Sequence, residues 1–302
     1  MATIEIAGVR HVYELTAPTT FPHALVFVHG WLLSRAYWQP LIERLAVDYQ
    51  CLSYDLRGFG QSHAISSQEK AEADTRDLAL NGSNATKEDN SPYSPTAYAR
   101  DLKCLLQELN ISSAWLIGHS LGGTIALWTA QQMPQSVQGV ICVNAGGGIY
   151  LKESFEQFRA VGTQLVKLRP RWLPLLPLVD LWMTRANVAR AIARSWGPQR
   201  IVDLAIAHPE AALGALLDST TETEINRLPQ IVSQLQQPVY FLAGDKDKIM
   251  EPKYVRHLAS FHPLFQACGE NAIEIPECGH LAMLEQTDMV AEQIRAIVTQ
   301  YK

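Results

Sequence analysis

The run Ala114-Trp115-Leu116-Ile117 is followed at once by Gly118-His119-Ser120-Leu121-Gly122-Gly123. An apolar run ending in alternating glycines predicts a strand that enters a sharp turn with a serine at its apex. Glycine on both sides lets the chain reverse without Cβ clashes. The hydroxyl is then held at the carboxyl end of the strand, ahead of a helix over Leu121 to Gln132 that Pro134 stops. The N–H groups opening such a helix favour developing negative charge. A serine in that position reads as a nucleophile rather than a packing residue.

The surrounding pattern alternates. Ile4 to Ile6 and Val12 to Leu15 read as a hairpin through Gly8. Apolar strands are expected at Ala24–Val28, Cys51–Tyr54, Val137–Val143, Pro238–Ala243 and Ala272–Ile275. Helices are expected at Ala36–Leu45, Thr96–Leu109 and Met289–Val298. Strands apolar throughout, alternating with helices, argue for an α/β fold with a mostly parallel sheet covered on both faces. With 302 residues and 47% hydrophobic content the chain can bury one large core.

Two segments break the rhythm. The stretch 66–94 is polar around Asn81-Gly82-Ser83-Asn84 and reads as a mobile surface excursion, because it buries too little to offset chain entropy. The stretch 148–224 is helical in flavour, rich in Trp, Leu and Pro, and lies where an insertion between core strands would form a lid. The expected division is therefore a core of 1–147 and 225–302 with a cap of 148–224. Between Arg159 and Arg200 the cap holds eight basic residues against the single acid Asp180, in a chain whose net charge is −5. A solvated helix face accounts for this. So does attraction to an anionic substrate or a membrane surface, aided by Trp172, Leu173, Leu175, Leu176, Leu178 and Trp182.

An acidic chain gives no reason to expect nucleic acid. The five cysteines (51, 104, 142, 268, 278) have neither close pairing nor metal-type spacing and read as reduced core thiols in a cytoplasmic compartment. The N-terminus has no basic start and no apolar h-region, so no secretory signal is expected. No window reaches membrane-spanning length.

A serine nucleophile needs a base, and the base needs an acid to orient it. His280, in Glu277-Cys278-Gly279-His280, follows the last expected strand and so falls on the same sheet rim as Ser120. Gly244-Asp245-Lys246-Asp247 follows another strand end and offers two acids that spacing does not separate. An oxyanion hole needs two backbone donors. The N–H of Leu121 supplies one, and His29-Gly30-Trp31, after a neighbouring strand, presents the N–H of Trp31 as the other.

Taken together, His29-Gly30, Asp55-Leu56-Arg57-Gly58-Phe59-Gly60-Gln61-Ser62, Gly118–Gly123, Gly244-x-x-Asp247 and Gly279-His280 resemble the α/β-hydrolase superfamily over about residues 22–300. The resemblance implies an eight-stranded, mostly parallel sheet flanked by helices, with an inserted helical lid. It carries the nucleophile onto Ser120, the acid onto Asp247 rather than Asp245, and the base onto His280, with no cofactor and no metal. The Asp55–Ser62 stretch is implied to be a structural turn, and His29 and His119 to shape the site. The implied activity is a serine hydrolase that cleaves a carboxylic ester, thioester or lactone of a hydrophobic or amphipathic small molecule through an acyl-enzyme. A cofactor-free carbon–carbon hydrolase, or a lyase or synthase of the menaquinone-pathway type, uses the same scaffold. So does a non-catalytic small-molecule receptor.

Overall fold

In β3 (Ala24–Val28) every residue is buried, because alternate side chains enter two different cores. Leu25 and Phe27 point to one face of the sheet, Val26 and Val28 to the other. The computed structural model describes residues 1–64, 91–146, 152–169, 178–268 and 271–301. The polar excursion at 66–94 falls mostly outside these residues, as does the cap segment carrying Arg171, Trp172, Leu173, Leu175 and Leu176.

The strands are β1 (Ala2–Ile6), β2 (Val9–Leu15), β3, β4 (Cys51–Tyr54), the two-residue β5 (His63–Ala64), β6 (Ala114–His119), β7 (Val137–Val143), β8 (Val239–Gly244) and β9 (Ala272–Ile275). Eight of them form the sheet in the order β1-β2-β4-β3-β6-β7-β8-β9, and β5 adds to β2. The hairpin β1–β2 turns through Ala7 and Gly8, both at positive φ. Pairing is antiparallel from β1 to β4 and parallel from β4 to β9. All parallel strands therefore end on one rim.

The helices are α1 (Gln39–Leu45), α2 (Pro95–Glu108), α3 (Leu121–Gln132), α4 (Lys152–Leu168), α5 (Val179–Met183), α6 (Trp196–Ile206), α7 (Pro209–Asp218), α8 (Glu222–Gln234), α9 (Pro252–Ala259), α10 (Pro263–Cys268), α11 (Ala282–Glu285) and α12 (Thr287–Thr299). The expected helix 36–45 opens instead as a 3₁₀ turn, Arg35–Trp38, before Pro40 enters the first turn of α1. Helix α2 begins where Ser94 accepts a hydrogen bond from the Ala97 N–H and Pro95 follows. That N-cap supplies about 1 kcal/mol.

One core packs α2, α3, α8 and α9 against Val26, Leu52, Leu116, Val140 and Phe241. The other packs α1 and α12 against Leu25, Phe27, Trp115, Ile117, Ile141 and Leu242. Each such side chain contributes about 1.5–3 kcal/mol by leaving water. Helices α4 to α7 belong to the inserted segment between β7 and β8. Helix α8 runs across the expected boundary at 224/225 and is joined to the core helix α3 where Trp128 donates to Glu224 (2.6 Å). Cys51, Cys142 and Cys278 are buried free thiols as expected, but Cys104 is exposed on α2, whose apolar face is formed by its neighbours Leu102, Leu105 and Leu106. The side chain of Cys268 lies outside the described residues.

Candidate active site

Ser120 has φ 51° and ψ −121°, a left-handed conformation that a non-glycine residue adopts only under constraint. The constraint is visible. Its N–H donates to the Val143 carbonyl (3.1 Å), and its carbonyl accepts from Gly123 (2.9 Å). A side chain at Gly122 would meet the Val28 carbonyl oxygen at 2.1 Å, so the helix start can press against β3 only as glycine. Leu121 is the first residue of α3, and its N–H therefore has no intrahelical acceptor.

His280 and Asp247 come together from different strand ends. The His280 Nδ1–H donates to Asp247 Oδ2 at 2.8 Å, which leaves Nε2 as the basic nitrogen. Asp247 is 3% exposed, and all of its acceptor sites are used. Its Oδ1 accepts from the N–H groups of Ile249 (2.8 Å) and Met250 (3.0 Å), and its Oδ2 also accepts from the Asn144 amide (2.9 Å). Burial pushes this carboxyl up, but His280 and the backbone donors outweigh it and hold the pKa at about 2. Asp245 is elsewhere: it accepts from the Cys278 N–H (3.0 Å) and pairs with Lys246.

His280 is seated beside His119, the residue that precedes Ser120. His119 Nε2–H donates to the His280 carbonyl at 2.7 Å, and the two imidazole rings lie 4.8 Å apart. Burial, and then the proximity of His280, lowers the His119 pKa to about 3, so this ring stays neutral and cannot compete for the proton. Gly30 makes room for it: a Cβ there would lie 2.6 Å from His119 Nδ1. His29 is structural, its Nδ1 bonded to the Gly30 carbonyl (2.8 Å) and its Nε2 accepting from the Leu56 N–H (2.9 Å). Asp55 likewise braces a turn, accepting from the N–H groups of Arg35 (2.7 Å) and Gln61 (2.9 Å).

Sequence reasoning missed two residues. Asn144 is fully buried with φ 46° at the end of β7, and its amide spans Asp247 and the Gly279 carbonyl (3.0 Å). An asparagine directly after an apolar strand was the available signal, since Asn tolerates positive φ. Glu285 accepts from Gly279 (2.9 Å) and Leu281 (3.0 Å) of the histidine loop and from Ala189 (2.7 Å) of the cap.

Ser120 and Leu121 open on a cavity of about 90 Å³, lined also by Trp31, Phe158, Leu216, Leu228 and Met250. The Trp31 indole N–H crosses to the Ala212 carbonyl of α7 (2.8 Å), which fixes the loop after β3 beneath the cap. Several of the cap's cations are spent on backbone carbonyls: Arg159 on Thr220 (3.0 Å), Arg169 on Leu204 (3.0 Å), Arg200 on Ala186 (2.7 Å). Among the described residues no group of three or more potential ligands could hold a metal, and no helix is long and apolar enough to cross a membrane.

The sequence pattern of the alpha/beta hydrolase fold family matches residues 23–287. The chain belongs to this family. Among relatives of this chain, the pimeloyl-[acyl-carrier protein] methyl ester esterase of Xanthomonas campestris pv. campestris is 28% identical over 284 residues, 91% of this chain and 94% of that protein. The 2-succinyl-6-hydroxy-2,4-cyclohexadiene-1-carboxylate synthase of Yersinia pseudotuberculosis is 28% identical over 253 residues, 82% of this chain and 80% of that protein. The chain spans 65% of the length of the curated mycobacterial relatives it matches at 27% identity. A thermophilic esterase from Thermogutta terrifontis superposes with a TM-score of 0.74 at 22% identity, covering 100% of this chain and 99% of that one.

Proposed function

We propose that this hydrolase cleaves a carboxylic ester, thioester or lactone of a hydrophobic or amphipathic small molecule through an acyl-enzyme on Ser120. The observation that carries the reading is the 2.8 Å Asp247–His280 pair, locked to the residue preceding a strained serine. His280 Nε2 takes the Ser120 proton as Oγ attacks the carbonyl carbon. Asp247, ionised at any working pH, holds the imidazole tautomer and stabilises the imidazolium. The N–H groups of Trp31 and Leu121 receive the tetrahedral oxyanion, an arrangement in which each donor is worth about 3 kcal/mol. The alkoxide leaves with the proton from His280, and water activated by the same imidazole releases the acid.

The chamber next to Ser120 favours an uncharged acyl group. Among the described residues no lining side chain bears a charge. Its hydroxyls Ser219 and Thr220 donate back to the carbonyls of Ala215 (2.6 Å) and Leu216, leaving apolar surface toward a ligand. A substrate with several carboxylates, such as the synthase of Yersinia handles by its name, would enter this chamber without a counter-ion. The methyl ester in the name of the Xanthomonas relative is uncharged at the bond to be cleaved, in keeping with this lining.

The test is pre-steady-state release of p-nitrophenol from acetyl, butyryl and octanoyl esters, together with mass-resolved labelling by a fluorophosphonate. One equivalent of burst and one label on Ser120 are expected, both absent in Ser120→Ala, whose turnover falls about 10⁴-fold or more with its melting temperature unchanged. Turnover without a burst or label would give the serine another role.

A further inference from the structure

Ten large hydrophobic side chains are exposed among the described residues; six of them lie on three consecutive cap helices, and a seventh, Leu178, caps the start of the second. They are not scattered. Val161, Leu165 and Leu168 recur at helical spacing along α4, Leu178 and Trp182 along α5, and Val202 and Ile206 along α6. Val161 and Leu168 are each 69% exposed, and Trp182 67%. The inward side of α4 is occupied differently, by Phe158 in the Ser120 chamber. Arg169 ties the end of α4 to the Leu204 carbonyl of α6, and α5 packs on α6, so the three helices that carry these side chains adjoin one another. Between the ends of α4 and α6 runs a groove of about 470 Å³ lined by Val166, Lys167, Ala205, Ile206 and Leu213.

The charge on this surface is mostly of one sign beyond Glu156, which is exposed in the first half of α4. Lys167 is exposed beside Leu168, and Arg185 continues the Leu178–Trp182 stripe. From Val161 to Ile206 the only described carboxylates are Asp180, paired with Arg194, and the buried Asp203. A second copy of the chain would set the patch that carries Lys167 and Arg185 against the same cationic patch of its partner in a two-fold interface. An anionic lipid surface instead neutralises both while Trp182 and the aliphatic stripes enter the headgroup boundary.

We propose that the outer face of α4, α5 and α6 docks this hydrolase on an anionic lipid bilayer. Docking needs none of the catalytic assignments above. It seats the cap, and with it the roof of the Ser120 chamber, against the phase in which an amphipathic ester is concentrated.

The test is co-sedimentation of the full chain with vesicles of phosphatidylcholine alone or mixed with phosphatidylglycerol, at low and high salt. Partition into the mixed vesicles is expected, weakening with salt as exposed charges are screened. Leu168→Ser with Trp182→Ser should lower partition about tenfold or more, by removing apolar anchors that are already solvent-exposed. Lys167→Glu with Arg185→Glu should lower it about tenfold and erase the preference for phosphatidylglycerol. Both pairs should hydrolyse a soluble p-nitrophenyl ester like the parent, which shows that they fold. Absence of partition into either vesicle, or variants that bind like the parent, overturns the proposal. A dimer on size exclusion that the serine pair splits does so too, by giving the face to a second copy. Vesicle binding by an enzyme that fails the burst test leaves docking in place and removes only the catalytic reading.

Discussion

The sheet rim and the cap are built on opposite principles. On the rim each functional group sits at the end of its own strand, and backbone geometry fixes it: Ser120 after β6, Asn144 after β7, Asp247 just past β8, His280 past β9. In the cap, helices are held by buried apolar side chains such as Leu204 and Ala211 and by polar ties to residues far away in sequence. Trp31 reaches Ala212 across 181 positions, and Ser34 reaches Asp203 (3.2 Å) across 169. The His280 N–H itself donates to the Asn187 carbonyl of the cap (2.9 Å). Chemistry is thus encoded locally and coverage non-locally, and the two should respond differently to mutation.

The sharpest break between them is at Asp247, the proposed acid. Asp247→Asn keeps the shape but offers an amide N–H where Nδ1–H must be accepted, so the imidazole loses its orientation. A drop of about 10⁴ in kcat is expected, against little change in KM. Asp245→Asn, two residues away on the same loop, loses only the weaker half of a bond to the Cys278 N–H and should stay within about threefold, as surface changes do. Steady-state kinetics on one ester decides it. The reverse ranking would move the acid to Asp245 and detach the rim argument from its geometry.

Asn144→Ala asks whether a residue absent from the sequence argument belongs to the rim. Removing the amide takes a hydrogen bond from an ionised, buried carboxylate, at a cost of about 1.5–3 kcal/mol at pH 7. The sign with pH follows from Asp247. A carboxyl held at about 2, below its ordinary 3.8, contributes stability above pH 3.8 that is lost as pH falls through about 2. Losing the Asn144 donor raises that folded pKa, so the deficit of the variant should shrink as urea midpoints are followed from pH 7 to pH 3. A deficit independent of pH would make Asn144 a packing residue only.

Much of the rim was legible because its elements are short and self-contained. A continuous apolar run such as Ala24–Val28 can only be a doubly covered strand, and the glycines around Ser120 admit one turn. Asn144 was not legible, because its partner lies 103 positions on and nothing in a local window demands it. The choice between Asp245 and Asp247 was likewise a matter of which carboxylate the chain turns inward. The Asp247 N–H bonds to the Gly244 carbonyl (3.0 Å), closing a turn that carries its side chain toward His280 and leaves Asp245 nearer water. Spacing does not reveal that. In the cap, the basic count was visible but its use was not. The guanidiniums of Arg159, Arg169 and Arg200 cap carbonyls that only the folded arrangement brings within reach.

The smallest expected effect lies where cap meets rim. Asp203 on α6 is buried, accepts from Ser34 Oγ (3.2 Å) and Gln199 (3.1 Å), and sits beside Tyr37. Burial raises its pKa to about 6, with Asp55 adding to the rise. The native state therefore binds the Asp203 proton more tightly than the unfolded chain, and stability falls as pH rises from 3.8 through about 6, by an amount on the order of 3 kcal/mol at most. Asparagine keeps an acceptor for Ser34, and Gln199 can rotate to meet the new donor, but no charge is left to desolvate. Asp203→Asn should hence be the more stable protein at pH 7.5, by about 1–2 kcal/mol once relaxation around the site is allowed for, and should converge on the parent near pH 4.5. Because Ser34 lies beyond Trp31 on the same loop, kcat should change less than twofold while the stability curves cross-relax. Parallel curves for parent and variant would mean that the Asp203 carboxyl titrates alike in the folded and the unfolded chain, so that its burial does not raise its pKa.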